Sequence, residues 1–366
     1  MRWGWLALGF VGCTLLHRAQ TYPRSRDVTS VEWYKPMAPV AGAPETMPKH
    51  APVRLTSAAI AEIEAYAAAR NTAGLVVMED GAIVHEWYAP GFDASKSTNS
   101  MSMAKTVLAL LVGIAVADGK ITSVEDSVST YLPEFRRGGR ERITIRHLLE
   151  MTSGLRNREE LKLGTDLVTY MLGTHIERRV LSIPVEVPPG TTFDYNNGNS
   201  ILLGMVLEKV YGKSYESLTS ERLWKPLGAG NAEMWLDRKK GMPRVFCCMF
   251  AVPQDWARVG QLILDEGRVG ITQVVPSEWI AQMSQPSLNN PEYGWQLWLT
   301  PQEGGGVRKA TSEAYLDPKM VFLSGYGEQK TYVLPSAGVV VVRVGEQPEE
   351  WDDSFIPNTV MRGLVK

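Results

Sequence analysis

Asn99-Ser-Met-Ser-Met-Ala-Lys-Thr-Val-Leu-Ala-Leu-Leu-Val-Gly-Ile-Ala-Val-Ala-Asp-Gly119 places a serine and a lysine, Ser102 and Lys105, at the head of an apolar run. Residues i and i+3 share one face of a helix, so this hydroxyl and this amine can meet. Nearly every residue from Val107 to Val116 is apolar, and Asp118-Gly119 is a stop signal. A helix that is apolar all round is a buried one. Its first turn carries backbone N–H groups without helical partners and the positive end of the dipole. A serine there has a base beside it and an amide ready for a developing oxyanion. Ser-x-x-Lys is also a common pattern, whose plain reading is a serine near a helix N-cap and a solvated lysine. Its meaning depends on the rest of the chain.

The chain has 366 residues, 44% of them hydrophobic and 21% charged, with a formal net charge of −2. Those values describe a globular protein with room for a sizeable core, as one large domain or two lobes. Near-neutral charge and the lack of a long basic run give no case for nucleic acid. Eleven tryptophans suit an aromatic-lined core or cleft. The three cysteines, Cys13, Cys247 and Cys248, are not a disulfide framework. Adjacent cysteines rarely bridge each other, so Cys247 and Cys248 read as two small buried apolar residues.

The amino terminus, Met-Arg-Trp-Gly-Trp-Leu-Ala-Leu-Gly-Phe-Val-Gly-Cys-Thr-Leu-Leu16, is a positive start followed by an apolar run too short for a comfortable membrane span. It has the length and flank of a secretory signal core. Phe10-Val-Gly-Cys13 is similar to a bacterial lipoprotein cleavage box, with Phe10 where leucine is usual. Residues 1–20 are therefore expected to be a signal peptide or membrane anchor, and the protein to be exported, periplasmic or held at a membrane. The alternative is a cytoplasmic protein whose apolar first helix docks on the body. Residues 21–54, with scattered Pro, Ala and Gly, read as a linker or extended arm.

Residues 55–366 form the body. Ser57 to Arg70 is an Ala-rich amphipathic helix with Ser57 or Thr56 as cap. Gly74–Met78 and Ala82–Tyr88 are strand-like, and Asp80-Gly81 turns them into a hairpin. His85 reads as a packing residue. From Ser123 to about Gly241 the pattern is mostly helical, a lobe of about residues 120–245. It includes a capped helix over Ile143–Leu155 ending at Gly154, with His147 structural, and helices over Asn199–Tyr211 and Tyr215–Trp224. Between the first two of these lies Pro188-Pro-Gly-Thr-Thr-Phe-Asp-Tyr-Asn-Asn-Gly198, rich in turn formers. Tyr195 and Asn197 on this loop either project into a cleft or simply pack and cap. A further helix spans Pro253–Glu266. Beyond it Tyr293–Leu299, Met320–Leu323, Gln329–Leu334 and Val339–Val344 read as strands, the last two joined through Pro335-Ser-Ala-Gly338. Ser324-Gly-Tyr-Gly327 beside a strand allows close backbone approach, and Ser354–Leu364 closes the chain as a helix.

Strands lie at both ends of the body, joined by hairpins rather than helical crossovers. The fold class is therefore α/β of the α+β kind: an antiparallel sheet flanked by helices, built from both ends of the body, with an inserted helical lobe. A cleft between sheet and lobe is a natural ligand site.

In this order the pieces resemble the serine β-lactamase and penicillin-binding superfamily. The resemblance is nearest to the branch of class C β-lactamases, DD-peptidases, EstB-type esterases and 6-aminohexanoate-dimer hydrolases. Four stretches carry it, from about Ser57 to the end. Ser102-Met-Ala-Lys105 looks like the S-x-x-K motif and Tyr195-Asn-Asn197 like Y-x-N. His147-Leu-Leu-Glu-Met-Thr-Ser-Gly-Leu155 resembles the H-L-L-x-x-T-S-G-L segment of this branch, and Gly325-Tyr-Gly-Glu-Gln329, with Pro335 after its strand, resembles the strand beside the site in the esterase and amide-hydrolase members. The resemblance implies a β-lactamase/transpeptidase-like fold and a serine hydrolase acting on a small-molecule ester or amide, with no metal or organic cofactor. It implies catalytic Ser102, Lys105 and Tyr195, with Asn197 and the Gly325 amide binding substrate. The K-T-G motif of β-lactamases and DD-peptidases is absent: Lys330-Thr331-Tyr332 lacks the glycine and falls too far along its strand. Antibiotic or peptidoglycan chemistry is thus the alternative, as is a catalytically silent surface binding or sensor protein. The G-x-S-x-G elbow and the H-E-x-x-H zinc pattern do not occur.

Overall fold

The computed structural model describes residues 13–299 and 311–365. In chain order the strands are β1 (Met37–Val40), β2 (Thr72–Glu79), β3 (Ala82–Tyr88), β4 (Thr98–Asn99), β5 (Ala232–Trp235), β6 (Met249–Ala251), β7 (Arg268–Val269), β8 (Thr272–Gln273), β9 (Val321–Gly325), β10 (Gln329–Leu334) and β11 (Val339–Gly345). The principal helices are α1 (Ser57–Ala68), α2 (Ala104–Ala117), α3 (Ile145–Leu149), α4 (Asn197–Tyr211), α5 (Pro253–Leu264) and α6 (Phe355–Arg362).

The main sheet has the order β3-β2-β11-β10-β9, and each of its pairs is antiparallel. Its hairpins follow local chemistry. Asp80 and Gly81 both adopt positive φ, at 47° and 83°, the combination a two-residue turn between right-twisted strands requires. The central strands are buried on both faces, and their period of two sorts side chains between layers. Leu75, Val77, Val339 and Val341 face a cluster with Ile63 of α1 and Val360 of α6. Val76, Met78, Val340 and Val342 face a larger cluster holding α2, α5 and most of the helical lobe. Gly260 lets α5 sit close on the sheet: a methyl there would lie 2.6 Å from a Val340 carbon. The result is helices, sheet, helices, the expected mixed antiparallel architecture.

A second, four-stranded sheet, β1-β5-β6-β4, carries the chain into α2. Its first strand belongs to the arm, pairing Met37–Val40 with Ala232–Trp235. Residues 13–21 are helical. From there the buried Arg18 donates to the carbonyls of Leu172, Gly173, Lys35 and Asp237. Cys13 is an exposed free thiol, whereas the apolar start before it lies outside the described residues. Among the described residues no helix is long and apolar enough to cross a membrane.

Local departures from the sequence reading have physical causes. The helix expected over Ile143–Leu155 is only the short α3. Thr144 and His147 form its capping box, the His147 ring accepting from the Thr144 N–H, but Met151 at φ 59° takes the chain out of helical conformation. The helix from Tyr215 continues past Thr219 as a π-turn through Trp224. His85 is paired at 2.7 Å with Glu64 rather than packed in the core. Tyr293–Leu299 is not a strand. It makes only isolated bridges, because Gln296 stands at φ 56° and the residues from Tyr293 to Leu297 are all buried rather than alternating.

Gln296 also ties the lobes together. Its amide donates to the Leu148 and Leu149 carbonyls at the end of α3 (3.2 and 3.0 Å), its side-chain oxygen accepts from Ser200 of α4, and its carbonyl accepts from Thr106 of α2. Replacing it orphans buried acceptors, each costing about 1–3 kcal/mol. Gln296→Met, which keeps the length, is expected to destabilise the protein by roughly 2–4 kcal/mol, read as a lowered denaturation midpoint. An unchanged midpoint would contradict the tie.

Candidate active site

Ser102 sits in a single 3₁₀ turn, Met101–Met103, that runs into α2. β4 delivers it there. The Ser100 N–H donates to the Met249 carbonyl of β6 at 2.9 Å, and Asn99 Oδ1 accepts from the Met101 N–H at 3.1 Å. That side-chain bond helps hold Met101 at φ 47°, a left-handed conformation disfavoured for a residue with a side chain. The turn places the half-buried Ser102 beside Lys105. On the far side, β9 presses against the same turn at Gly325. A Cβ there would lie 2.5 Å from the Ser100 oxygen and 2.9 Å from Met101 Cβ, so only glycine permits this approach.

Lys105 lies one turn further along and is 1% exposed. Its Nζ donates to Ser102 Oγ at 2.9 Å and to the Phe246 carbonyl at 2.8 Å. No carboxylate among the described residues lies within ion-pairing distance of it. Burial without a counter-charge disfavours the ammonium and lowers the amine to about 7, an effect the more distant Glu159 opposes. Glu159 itself is raised, first by burial and then by the neighbouring Asp194.

Tyr195 reaches the same place from the loop before α4. Lys105 Nζ stands 4.8 Å from the centroid of its ring. The ring stacks on Trp298 (5.8 Å) and meets the edge of Tyr293 (5.9 Å). Trp298 in turn bridges to Phe322 of β9. The loop is fastened behind the ring: Asn157 donates to Asp194 and to the Tyr195 carbonyl, and Asn196 caps α4 by accepting from the Gly198 N–H at 2.8 Å. Asn197, the first residue of α4, is half-buried beside them. The fold therefore brings Ser102, Lys105 and Tyr195 to one point, with Asn197 on the Tyr195 loop and Gly325 against the Ser102 turn. Tyr293, Trp298 and the Phe246 carbonyl were not singled out from the sequence. The first two had been absorbed into an expected strand, and a backbone carbonyl leaves no mark in side-chain pattern.

Lys330, the lysine of the incomplete K-T-G, is fully buried in β10 and paired with Asp353 (2.5 Å) and Glu328 (3.1 Å). Its charge is spent inside the sheet. At the site, β9 reads Val321-Phe-Leu-Ser-Gly325.

The sequence model of the Beta-lactamase family matches residues 59–356. The chain belongs to the beta-lactamase family. It is 23% identical to the 6-aminohexanoate-dimer hydrolase of Paenarthrobacter ureafaciens over 313 residues, covering 78% of this chain and 80% of that one. It is 31% identical to esterase EstB of Burkholderia gladioli over 142 residues, 35% of this chain and 36% of EstB. Among solved structures it is similar to the provisionally named 6-aminohexanoate-dimer hydrolase from Bacillus anthracis. The TM-score is 0.76 at 20% identity, over 91% of this chain and 92% of that one. The protein is thus a β-lactamase-fold hydrolase related to esterases and amidohydrolases. Contrary to the sequence expectation, Cys247 and Cys248 are joined by a disulfide. Cys248 at φ 65° turns the chain so that neighbouring sulfurs meet.

The lowered Lys105 has a consequence for stability. The unfolded chain holds a proton on this amine up to its ordinary 10.5, the folded chain only up to about 7. The folded state therefore bears the cost of a buried amine in full below pH 7 and loses it as pH rises toward 10.5. Lys105→Met should be more stable than the parent, by on the order of 4 kcal/mol near pH 6, with the advantage vanishing by pH 10.5. Denaturant midpoints of both proteins across this range check it, and a pH-independent difference would contradict it.

Proposed function

We propose that this protein is a serine hydrolase that cleaves an ester or small amide through an acyl group carried on Ser102. One observation carries the reading: a buried, uncompensated Lys105 amine 2.9 Å from the Ser102 hydroxyl, held near 7. A base with that value is neutral enough at physiological pH to accept a proton and acidic enough to return it.

In this scheme Ser102 Oγ attacks the substrate carbonyl carbon and its proton passes to Lys105. The tetrahedral oxyanion rests on the Ser102 N–H and, across the Gly325 approach, the Gly325 N–H, each donor contributing about 3–4 kcal/mol. Collapse expels the alcohol or amine, which takes a proton from the Lys105–Tyr195 pair. Water then attacks the acyl carbon, gives a proton to the same pair, and frees Ser102. Tyr195 completes the proton path, and its ring over Lys105 steadies the cation that forms between the two half-reactions. Asn197 orients the acyl group. No step calls for a metal.

The buried pairing of Lys330 supports esters and small amides over β-lactams or peptidoglycan stems, since it leaves no lysine on the strand beside Ser102 to hold a substrate carboxylate. The relation to EstB and the 6-aminohexanoate-dimer hydrolase supports the same choice. A silent binding protein would have no use for an amine buried at so high a cost.

Ser102→Ala is expected to lower p-nitrophenyl ester hydrolysis by at least about 10³-fold, with an unchanged denaturation midpoint, and the parent to turn over nitrocefin weakly or not at all. Full ester hydrolysis by Ser102→Ala would refute the assignment. Rapid nitrocefin turnover would move the substrate to β-lactams.

A further inference from the structure

We propose that the Cys247–Cys248 disulfide is a positioning element of the active site, one that sets Lys105 against Ser102 and makes turnover sensitive to reduction. The inference rests on the reading of Lys105 as the base for Ser102.

The geometry is local. The residue before the disulfide, Phe246, supplies the carbonyl that holds Lys105 Nζ at 2.8 Å. The residue after it, Met249, supplies the carbonyl that holds the Ser100 N–H at 2.9 Å, two residues ahead of the nucleophile. The small ring formed by the bonded pair lies between these two anchors and fixes their separation. Its neighbours are held by bonds that leave this ring to set the spacing between them. The Cys247 N–H donates to the Arg244 carbonyl, and the Cys248 carbonyl accepts from the Trp235 N–H. Arg244, fully buried, donates to the Tyr170 and Gly173 carbonyls and lies over the Trp235 ring. The one residue in the segment with an unfavourable conformation is Cys248, at φ 65°. A left-handed conformation is disfavoured for a residue with a side chain, and the bond to Cys247 helps hold it there.

A dithiol or a phosphine donates two electrons to the S–S bond, which breaks. The dithiol passes its two protons to the cysteine sulfurs and closes to a cyclic disulfide; with the phosphine, water supplies both protons and the oxygen of the phosphine oxide. Cys248 is then free to leave the left-handed region, and the Phe246 and Met249 carbonyls lose their fixed spacing. Lys105 loses an acceptor that favours its charged form. Its amine falls further, and its alignment with Ser102 loosens. The groups facing that amine are Ser102 on its own helix, the Tyr195 ring, the Phe246 carbonyl and ring, and, at longer range, Glu159. Of these, reduction alters the Phe246 carbonyl directly and Ser102 through the Met249–Ser100 bond.

The test uses the full chain and a p-nitrophenyl ester, before and after treatment with a phosphine. Accessible thiols counted after denaturation should rise from one, Cys13, to three. The expected result is a roughly ten- to hundredfold fall in kcat with KM little changed. The acidic limb of the kcat profile should move to lower pH, and air or disulfide reoxidation should restore both. Cys247→Ala/Cys248→Ala should match the reduced protein and ignore the phosphine. Cys247→Ala/Cys248→Gly, in which glycine takes the left-handed φ freely, should recover part of the lost kcat. If the native disulfide resists the phosphine, the two double variants decide alone. Unchanged kcat and pH profile in the reduced protein, or in both double variants, would overturn the proposal. Ser102→Ala assayed in parallel separates this failure from a failure of the hydrolase reading: activity in that variant would remove the base and nucleophile themselves.

Discussion

An amine sealed at the head of an apolar helix, with a hydroxyl and a backbone carbonyl for company and, among the described residues, no carboxylate within ion-pairing distance, is an expensive thing to keep. Lys105 is in that position because α2 is apolar on all sides and packs at the centre of the larger core. The same burial that penalises its charge brings its proton affinity down to the range in which it can serve a serine. Much else in the structure can be understood as support for that one contact. β4 and Asn99 set the strained Met101 turn that presents Ser102. Gly325 gives β9 room to close against it. The 243–249 segment brings up the Phe246 carbonyl, and the aromatic group of Tyr293, Trp298 and Phe193 lodges Tyr195 over the amine.

The two lobes meet at this point for reasons of packing as much as chemistry. The five-stranded sheet is built from both ends of the body, so the middle of the chain is free to fold between its strands and share one core with it. Gln296 joins α2, α3 and α4 through four hydrogen bonds, holding the lobe that carries Tyr195 at a fixed distance from the helix that carries Lys105. Satisfied buried polar links of this kind tolerate little displacement, and a hydrolytic site needs that rigidity, since misplacement by about 1 Å costs about two orders of magnitude in rate.

Spacing and turn residues disclosed the elements, whereas the roles expected of Tyr195, Asn197 and Gly325 came only from the family resemblance. The Ser102–Lys105 contact is an i,i+3 relation and could be read directly. The hairpins declared themselves through Asp80-Gly81 and Pro335–Gly338, and the sheet followed from strands joined without crossovers. The rest depended on features with no periodic trace. Tyr293–Leu299 is rich in aromatic and apolar residues and looks like a strand, yet Gln296 breaks it to make tertiary bonds that pattern cannot announce. The Phe246 carbonyl contributes backbone, which every residue has. The cysteine pair was misread because adjacent cysteines seldom bond, and only the left-handed conformation of Cys248 makes it possible here.

The central claim is that burial, by lowering Lys105, activates Ser102, and the reaction of Ser102 with a fluorophosphonate reads that activation without any knowledge of the substrate. The measurement is the labelling rate from pH 5 to 10, with the labelled residue identified by peptide mass. The account predicts a rate that rises through a single ionisation close to pH 7 and is lost in Lys105→Met. A rate that stays flat through pH 7 and climbs only near pH 10, or one that survives in Lys105→Met, would contradict it.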